Sequence, residues 1–471
     1  MDIRFASHNL HHESPEAFSR LDPHLRLLGT QPLVHQSALL DRLPLEKTGI
    51  FTLSGGRQIG KTTLMKQWMV RLMEHGVSPG RIVFLTGELI DDHHSLIRLI
   101  SEISSALPEE AYRCLILDEV TYVRDWDKGV KYLADAGILE NTGFFLTGSD
   151  LAVIREARMR FPGRRGSEDT VDFHLFPLSF LEAVRLKQRL KQHLTRDEVD
   201  LLLGIDPFRD PVFPASLDGL FAEFEAYLLH GGFLTAINDL EQHGQIQQAT
   251  YATYSDWIRG DCLKRDRREH FLREILAAII KRHGSQVTWN SLTQELSIDH
   301  PKTVADYLNL LASMDAVFIQ YALLEDKLVA APKKARKVMF RDPFIFHAVR
   351  AWLSPGRNPY TDQAVPWLAD PKNAGALAES CATTLYQRHF PTYYIKAQGE
   401  VDIAYVHENR FWPVEIKWTS QVRPADLKQV CKYPNGVILG KTRQPGLVQN
   451  TPILPLPLAL LRLESLQSQN F

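Results

Sequence analysis

A glycine-rich stretch near residue 60 has the residue types and the spacing of a phosphate-binding loop. Gly55 is followed, after four residues, by Gly60-Lys61-Thr62, which fits the P-loop pattern. In such a loop, successive backbone N–H groups surround the phosphates and the following helix points its positive end at them. We therefore predict a nucleoside triphosphate site with ATP and Mg²⁺ as cofactors. Its predicted binding residues are Gly55, Gly56, Arg57, Gln58, Ile59, Gly60, Lys61, Thr62 and Thr63.

The same site needs groups that hold Mg²⁺ and polarise the attacking water. Lys61 is predicted to reach the β- and γ-phosphates, and the Thr62 hydroxyl to bind Mg²⁺. The apolar run Cys114-Leu115-Ile116-Leu117 ends in Asp118 and Glu119, the arrangement of a Walker B strand. Asp118 is predicted to hold the Mg²⁺ shell, and Glu119 to act as the general base.

A further strand ends in small polar residues. Phe144-Phe145-Leu146 is followed by Thr147-Gly148-Ser149, and its polar end is predicted to lie between the ends of the other two strands. Thr147 or Ser149 could sense the γ-phosphate there, although small polar residues are also common in an ordinary turn. Five arginines follow, which could supply an arginine finger, a DNA-contacting face or a solvated basic helix: Arg155, Arg158, Arg160, Arg164 and Arg165.

A second candidate site lies near the C-terminus. Glu415-Ile416-Lys417 on a strand would place both charged side chains on one face. Asp402 begins the preceding strand of a predicted hairpin, and Glu379 lies on an earlier predicted helix. Nucleases of the PD-(D/E)xK type use carboxylates to hold Mg²⁺ and a lysine to activate water. We predict Glu379, Asp402 and Glu415 as metal ligands and Lys417 as a catalytic residue, with a DNA-binding or structural module as the alternative.

Strand and helix signals alternate after the P-loop, which predicts an α/β fold with a parallel sheet. A helix is predicted at 33–40. Between residues 271 and 340, three helical segments followed by a hairpin predict a winged helix-turn-helix. Its recognition helix carries Lys302, and its wing carries the basic run 333–337. The winged helix could bind DNA or could serve protein packing. The basic run 333–337 could contact phosphate or could be a solvated charged loop.

The composition is that of a globular protein of several domains. The chain has 471 residues, 44% of them hydrophobic, and a formal net charge of -2. This balance neither favours nor excludes a nucleic-acid partner, because local clustering of charge decides that. The four cysteines form no CxxC pair, and no apolar run is long enough for a membrane span. We expect a cytoplasmic protein with no membrane partner.

These motifs in this order resemble a family. The chain looks like the bacterial and archaeal AAA+-type ATPases that carry a winged helix and a C-terminal restriction-endonuclease-like domain of unknown function. Besides the P-loop and Leu117-Asp118-Glu119, the matching segments are Asp125-Trp126, 145–149, 163–165, 176–180 and 227–233. The resemblance implies ATP hydrolysis, an AAA+ strand order and a winged helix after a helical lid. Leu234 stands where relatives usually have proline, which weakens any nucleotide-sensing role for that turn.

The resulting expectation is a protein of five parts. The predicted parts are an N-terminal helical lead-in (1–45), an AAA+-type P-loop core (46–180), a helical lid or connector (181–260), a winged helix (261–355) and a restriction-endonuclease-like α/β domain (356–471). We expect an ATPase that acts on duplex or branched DNA, and relatives suggest a homo-oligomer. The alternative is a nucleotide-controlled regulator or scaffold whose nuclease-like domain is inactive.

Overall fold

The computed structural model describes residues 2–107, 110–149, 170–188, 190, 193–210, 212–419 and 427–468. The chain divides into two units, Met1–Phe176 and Pro177–Phe471. The five arginines named above, Arg155, Arg158, Arg160, Arg164 and Arg165, lie outside the described residues.

The first unit contains a parallel sheet of five strands. Its order is β2-β3-β4-β1-β5, and every neighbouring pair is parallel. All residues of β2, β3 and β4 are buried, as expected for a parallel sheet covered on both faces. The predicted parallel sheet is confirmed, and β4 lies between β3 and β1. The strands are β1 (Gly49–Ser54), β2 (Ile82–Thr86), β3 (Arg113–Asp118), β4 (Thr142–Gly148) and β5 (Asp172–His174).

Two hydrophobic layers pack on this sheet. One contains Trp68 of the P-loop helix against Phe145, and the other contains Leu96 and Val130 against Leu117. The helices are Phe18–Leu21, Pro23–Gly29, Leu39–Arg42, Lys61–Glu74, His93–Ser105 and Trp126–Asp135.

The helix predicted at 33–40 is wrong, because only Leu39–Arg42 is helical. Ser37 Oγ accepts a hydrogen bond from the Leu39 N–H at 3.2 Å. A serine that bonds locally to the backbone competes with helix continuation, so the helix begins only after this residue.

The N-terminal segment covers the edge strand β2, a role that the sequence did not reveal. The Asn9 side chain donates to Phe84 O and accepts from Phe84 N, each at 2.8 Å. Nε2 of His11 and Nε2 of His12 each lie 2.8 Å from Ile82 O. Unpaired backbone groups on an edge strand invite pairing with other chains, and these side chains satisfy them.

The second unit begins with helices and a small antiparallel sheet. The sheet has the order β6-β10-β7. Its first strand follows the helix Glu269–Lys281, and its other two strands come after the helices Trp289–Thr293 and Pro301–Ser313. Its strands are β6 (Gln286–Val287), β7 (Val317–Tyr321) and β10 (Arg336–Phe340), with a separate pair β8 (Leu323–Leu324) and β9 (Val329–Ala330). The other helices of this unit are Phe180–Lys187, Arg196–Gly204, Ser216–His230, Leu234–His243, Gln248–Leu263, Pro343–Leu353, Val365–Ala369, Pro371–His389 and Leu456–Ser468.

A six-stranded mixed sheet follows the helix Pro371–His389. Its order is β11-β12-β13-β14-β16-β15. The first three strands are antiparallel, whereas β14 is parallel to β13. Glu408 and Asn409 join β12 to β13 with φ of 50° and 57°, as a two-residue hairpin turn requires. The strands are β11 (Thr392–Lys396), β12 (Glu400–His407), β13 (Arg410–Lys417), β14 (Val437–Gly440), β15 (Gly446–Val448) and β16 (Thr451–Pro455).

The Gly231-Gly232 motif is a tight packing point of the second unit. Leu178 N donates to Gly232 O at 2.7 Å, and Gly232 N donates to Asp342 Oδ2 at 2.8 Å. A Cβ atom on Gly231 would lie 1.7 Å from Asp342 Oδ1, so a side chain is excluded there. Leu234 is the first residue of a helix, a position that favours proline on backbone grounds alone. The structure therefore explains this motif by packing.

No helix in the described part of the chain has the length and apolar character needed to cross a membrane.

Candidate functional site

The P-loop joins β1 to the helix Lys61–Glu74 through a turn that depends on its glycines. Gly60 has a φ of 97°, which only glycine adopts readily. A Cβ atom on Gly55 would lie 2.4 Å from the carbonyl oxygen of Leu175. Both glycines therefore have a steric reason to be glycine, and the loop leads directly into the helix N-terminus.

Lys61 lies inside this loop. Its Nζ donates hydrogen bonds to Gly55 O at 3.0 Å and to Gly56 O at 2.9 Å, and it lies 3.8 Å from Glu119 Oε1. The residue is 5% exposed. The ammonium group is thus held beside the acidic end of β3, mainly by backbone oxygens.

Asp118 joins three elements of the first unit. Its Oδ2 accepts a hydrogen bond from Thr62 Oγ1 at 2.7 Å, and its Oδ1 accepts one from Thr147 Oγ1. Thr147 Oγ1 also accepts a hydrogen bond from Glu119 N at 3.1 Å. The structure therefore brings Thr62, Asp118 and Thr147 together, while Ser149 is buried in the turn beyond β4.

Glu119 has a left-handed backbone conformation, with φ of 51° and ψ of 48°. This conformation costs energy for a residue with a side chain and is often found at functional sites. Gly87 packs closely against it, since a Cβ atom on Gly87 would lie 2.5 Å from Glu119 O. Sequence analysis missed Gly87, although a glycine directly after β2 was a usable signal.

A cleft of 340 Å³ opens beside these residues. It is lined by the P-loop, Asp118 and Glu119, and also by His8, His24 and Phe84. The N-terminal segment that supplies both histidines is tied to the P-loop helix by the buried Lys66, whose Nζ lies 3.2 Å from Asp22 Oδ2. Burial lowers the pKa of Lys66, an effect that Asp22 opposes.

The second candidate site gathers three carboxylates around a lysine. One carboxylate oxygen from each of Glu379, Glu400 and Asp402 lies within 4.8 Å of the others. Lys337 Nζ contacts all three, at 2.7 Å from Glu379 Oε1, at 3.5 Å from Asp402 Oδ1 and in a close ion pair with Glu400. The lysine side chain is 1% exposed.

The positions of Lys337 and Glu400 differ from what the sequence predicted. Lys337 was predicted to belong to an exposed basic wing, and this is wrong because its side chain points into the acidic cluster. Lys333 and Lys334 of the same run are exposed. Glu400 was not predicted as a site residue at all, although it lies two residues before Asp402 on β12 and therefore shares a strand face with it.

Glu415 and Lys417 lie next to this cluster on β13. Their side chains form a close ion pair, in line with the predicted shared face. Asp402 connects the two strands, because Ile416 N donates to Asp402 Oδ2 at 2.9 Å and Asp402 N donates to Glu415 Oε2 at 3.4 Å. The structure therefore places Glu379, Asp402, Glu415 and Lys417 in one neighbourhood.

The electrostatics of this neighbourhood show an excess of negative groups. Burial and the Asp402 carboxylate raise the pKa of Glu379 to about 7, against the opposing effect of Lys337. Burial and Asp402 raise the pKa of Glu415 to about 8, against the opposing effect of Lys417. For Lys337, burial alone would lower the pKa, but the three carboxylates raise it well above its usual value.

The two sites differ in how well they suit a divalent cation. At the nucleotide site, a hydroxyl and a carboxylate oxygen lie together beside a cleft, which is a donor set that Mg²⁺ accepts with additional water or phosphate ligands. At the acidic site, carboxylate oxygens are the donors that Mg²⁺ and Mn²⁺ prefer, but the Lys337 ammonium group lies among them.

Comparison with known families places the first unit in a recognised class. Residues 47–184 match the model of the AAA domain, and residues 221–355 match a domain of unknown function, DUF8612. The match to the AAA domain and the geometry of the P-loop, β3 and β4 define this region as a P-loop ATPase domain of the AAA+ type.

Individual relatives are distant. An uncharacterised protein of Haemophilus influenzae is 24% identical over 274 residues, covering 56% of this chain and 60% of the relative. The uncharacterised protein MJ1637 of Methanocaldococcus jannaschii is 23% identical over 307 residues, covering 63% and 61%. The chain thus matches about three fifths of the length of these relatives.

Among solved structures, the Walker-type ATPase PABY2304 of Pyrococcus abyssi aligns with a TM-score of 0.41 and 15% identity, covering 66% of this chain and 94% of that one. The ORC2 protein of Aeropyrum pernix, solved as ADPNP and ADP complexes, aligns with a TM-score of 0.35 and 16% identity, covering 71% and 93%.

Proposed function

We propose that this protein binds Mg·ATP at the P-loop and hydrolyses it. One observation carries the proposal: the two carboxylate oxygens of Asp118 accept hydrogen bonds from Thr62 and Thr147, so the end of β3 is fixed beside the P-loop. In this proposal Lys61 binds the β- and γ-phosphates, while Thr62 and Asp118 hold Mg²⁺. The metal would neutralise charge that develops on the phosphate oxygens.

Glu119 is the proposed general base. Its carboxylate lies on the same side of the cleft as Lys61, 3.8 Å from the ammonium group, and its side chain is 19% exposed, so water can reach it. Its backbone N–H is held by Thr147, which we propose as a positioning residue that links the base to the metal ligand Asp118.

We propose that the second unit acts on DNA. A helix, the short strand β6, two further helices and the strands β7 and β10 follow one another in the order of a winged helix, and the exposed Lys333 and Lys334 precede β10. The helix carrying Glu379, followed by the antiparallel strands β11, β12 and β13 with β14 parallel to β13, supports a restriction-endonuclease-like domain. In it, Glu379, Asp402 and Glu415 would bind Mg²⁺ and Lys417 would orient the attacking water.

A nucleotide-controlled regulator is the second candidate function. One observation favours it: the Lys337 ammonium group contacts two of the proposed metal ligands, Glu379 and Asp402, and also the neighbouring Glu400. In this case ATP would change the conformation of the protein, and the nuclease-like domain would bind DNA or a protein without cutting.

A single set of reactions tests both candidates. ATP turnover is measured with Mg²⁺ for the wild type and Lys417→Ala, with duplex, single-stranded or branched DNA, and the same tubes are examined for nicks. The first candidate predicts DNA-stimulated turnover and nicking that Lys417→Ala abolishes while its ATP turnover persists. Turnover that ignores every DNA, with the DNA left intact, would favour the regulator.

A further inference from the structure

The most unusual charge arrangement among the described residues is the burial of Lys337 between acidic side chains. Lys337 belongs to β10 of the small antiparallel sheet, whereas its three partners belong to the helix Pro371–His389 and to β12. The lysine therefore enters the acidic site from a different structural element of the same unit, and it is 1% exposed there.

The ammonium group lies where a divalent cation would bind. Glu379, Glu400 and Asp402 supply carboxylate oxygens close enough to share one ion, and Lys337 Nζ contacts an oxygen of each. An ammonium ion and a metal ion that use the same oxygens exclude each other, because both are cations and both need that space.

The lysine balances the negative charge only in part. Four carboxylates, from Glu379, Glu400, Asp402 and Glu415, share the neighbourhood with two ammonium groups, from Lys337 and Lys417. By contrast, the buried cluster near residue 190 pairs two carboxylates, Glu223 and Glu241, with Lys187 and His193. The acidic site thus holds more carboxyl groups than ammonium groups, and a divalent cation would favour the ionised form of those carboxyl groups.

Neighbouring hydrogen bonds indicate that the small sheet holds Lys337 in this position. Gln286 of β6 donates a hydrogen bond to Glu400, and Gln320 of β7 donates to Asp402 O at 2.8 Å and to Tyr393 O at 3.0 Å. All three strands of the small sheet therefore contact the acidic site, so a movement of this sheet would move the lysine relative to its carboxylates.

We propose that Lys337 is an internal counter-cation that keeps divalent metal out of the acidic site, and that withdrawal of β10 opens the site to one Mg²⁺ or Mn²⁺ ion. This inference rests on the proposed nuclease-like function of the C-terminal domain and adds its regulation. Glu400 is then a fourth metal ligand beside Glu379, Asp402 and Glu415.

The test replaces Lys337 with an uncharged residue of similar length and measures metal binding directly. Mn²⁺ is titrated into the full-length wild type and Lys337→Met without nucleotide, by calorimetry and by the melting temperature against EDTA. We expect no saturable Mn²⁺ binding in the wild type. In Lys337→Met, we expect one site and a rise in Tm of about 5 °C at saturating Mn²⁺.

Two control variants define the site. Lys396→Met removes an exposed lysine from β11 and should behave like the wild type. Adding Asp402→Asn to Lys337→Met should abolish the gained Mn²⁺ binding. A Lys337→Met protein that is folded and binds no Mn²⁺ would overturn the proposal, and so would wild-type protein that binds Mn²⁺ at a site lost in Asp402→Asn.

The proposal can be tested even if Lys337→Met does not fold without metal. Removing one partner of a buried ion pair is strongly destabilising because it leaves buried charge uncompensated, so Lys337→Met can fail to fold in EDTA. It is then refolded with and without Mn²⁺. Recovery only with Mn²⁺ supports the proposal, since the metal replaces the lost positive charge, and no recovery in Mn²⁺ contradicts it.

DNA cleavage is measured separately on the same variants. If Lys337→Met binds Mn²⁺ and leaves every DNA intact, the counter-cation proposal stands and the nuclease function fails. If Lys337→Met nicks DNA, and adding Lys417→Ala to it removes the nicking, the counter-cation proposal and the nuclease function are both supported.

Discussion

The nucleotide site and the acidic site each combine a buried lysine with carboxylates, but they use the lysine in opposite ways. Lys61 donates its hydrogen bonds to the backbone oxygens of Gly55 and Gly56, while Asp118 is held by the hydroxyls of Thr62 and Thr147. Lys337 instead contacts three carboxylates directly. At the first site, hydroxyl groups hold Asp118, the carboxylate that we propose as a metal ligand. At the second site, an ammonium cation already occupies the carboxylates.

This difference has an energetic cause. A buried carboxylate must be hydrogen-bonded or paired with a charge. Neutral hydroxyl donors can remain in place when a metal binds, because a hydroxyl oxygen is itself a metal ligand. An ammonium group has no lone pair to offer, so it must leave. The comparison therefore predicts a nucleotide site that is ready for Mg·ATP and an acidic site that needs a rearrangement first.

The largest expected effect comes from removing the P-loop lysine. Lys61→Ala should abolish measurable ATP binding and turnover, because the phosphates lose their main positive partner. Binding is measured with a fluorescent ATP analogue, and Lys131→Ala, an exposed lysine in the same unit, is the control. Nucleotide binding of normal affinity in Lys61→Ala would contradict the assignment of this site.

The next effect separates binding from chemistry. Glu119→Gln keeps the size of the side chain but removes its basicity, so ATP should still bind while turnover falls by a factor on the order of 10²–10⁴. Single-turnover hydrolysis of bound ATP measures this. Glu88→Gln changes an exposed acid that lines the same cleft and should keep most activity. Undiminished turnover in Glu119→Gln would refute its role as base.

A smaller effect tests the contact between β3 and β4. Thr147→Val leaves Asp118 and Glu119 N without their hydroxyl partner, at a cost of about 1–3 kcal/mol. We expect turnover to fall by roughly tenfold to a hundredfold and to require a higher Mg²⁺ concentration. Thr147→Ser, which keeps the hydroxyl, should restore most of the activity. A larger loss in Thr147→Ser, which lacks the methyl group, than in Thr147→Val would point to methyl packing instead of the hydrogen bond.

The balanced cluster around His193 provides a reference for the acidic site. Hydrogen bonds to Glu223 and Glu241 raise the pKa of His193 to about 9, although burial opposes this. Because the folded pKa exceeds the unfolded value of about 6.5, the protonated histidine stabilises the fold fully below pH 6.5, and this contribution is lost as the pH rises through about 9.

The corresponding variant is His193→Gln. Its unfolding free energy should lie below that of the wild type by about 1–3 kcal/mol at pH 6, and the gap should close above pH 9. Denaturant unfolding at several pH values measures the gap, and Mn²⁺ should leave it unchanged. A gap that widens with rising pH would show that His193 is not charged in the folded protein.

The nucleotide site was largely predictable because its residues lie in short contiguous motifs. Gly55 to Thr63 and Asp118-Glu119 each belong to one loop or one strand end, and the parallel sheet necessarily brings these ends to one edge. The contact of Thr147 with Asp118 follows from the position of β4 between β3 and β1. The conformation of Glu119 and its need for Gly87 depend on packing between separate strands, which no local pattern encodes.

The acidic site was predictable only within its hairpin. Alternation along β12 and β13 correctly paired Glu415 with Lys417 and placed Asp402 nearby. Lys337 was misread because it ends a run of basic residues, where charge density suggested an exposed wing. On a strand, Arg336 and Lys337 face opposite sides, and Arg336 lies over the Trp289 ring at 4.2 Å. Only the tertiary arrangement shows which of the two faces the acids.

The most direct test of the contrast is Mn²⁺ binding by the wild type with and without ATP, followed by electron paramagnetic resonance. We predict one Mn²⁺ per chain when ATP is present, lost in Lys61→Ala, and no bound Mn²⁺ without nucleotide. Tight Mn²⁺ binding without ATP that disappears in Asp402→Asn would show that the acidic site is open. Absence of bound Mn²⁺ in the presence of ATP would show that the P-loop is not a Mg·ATP site.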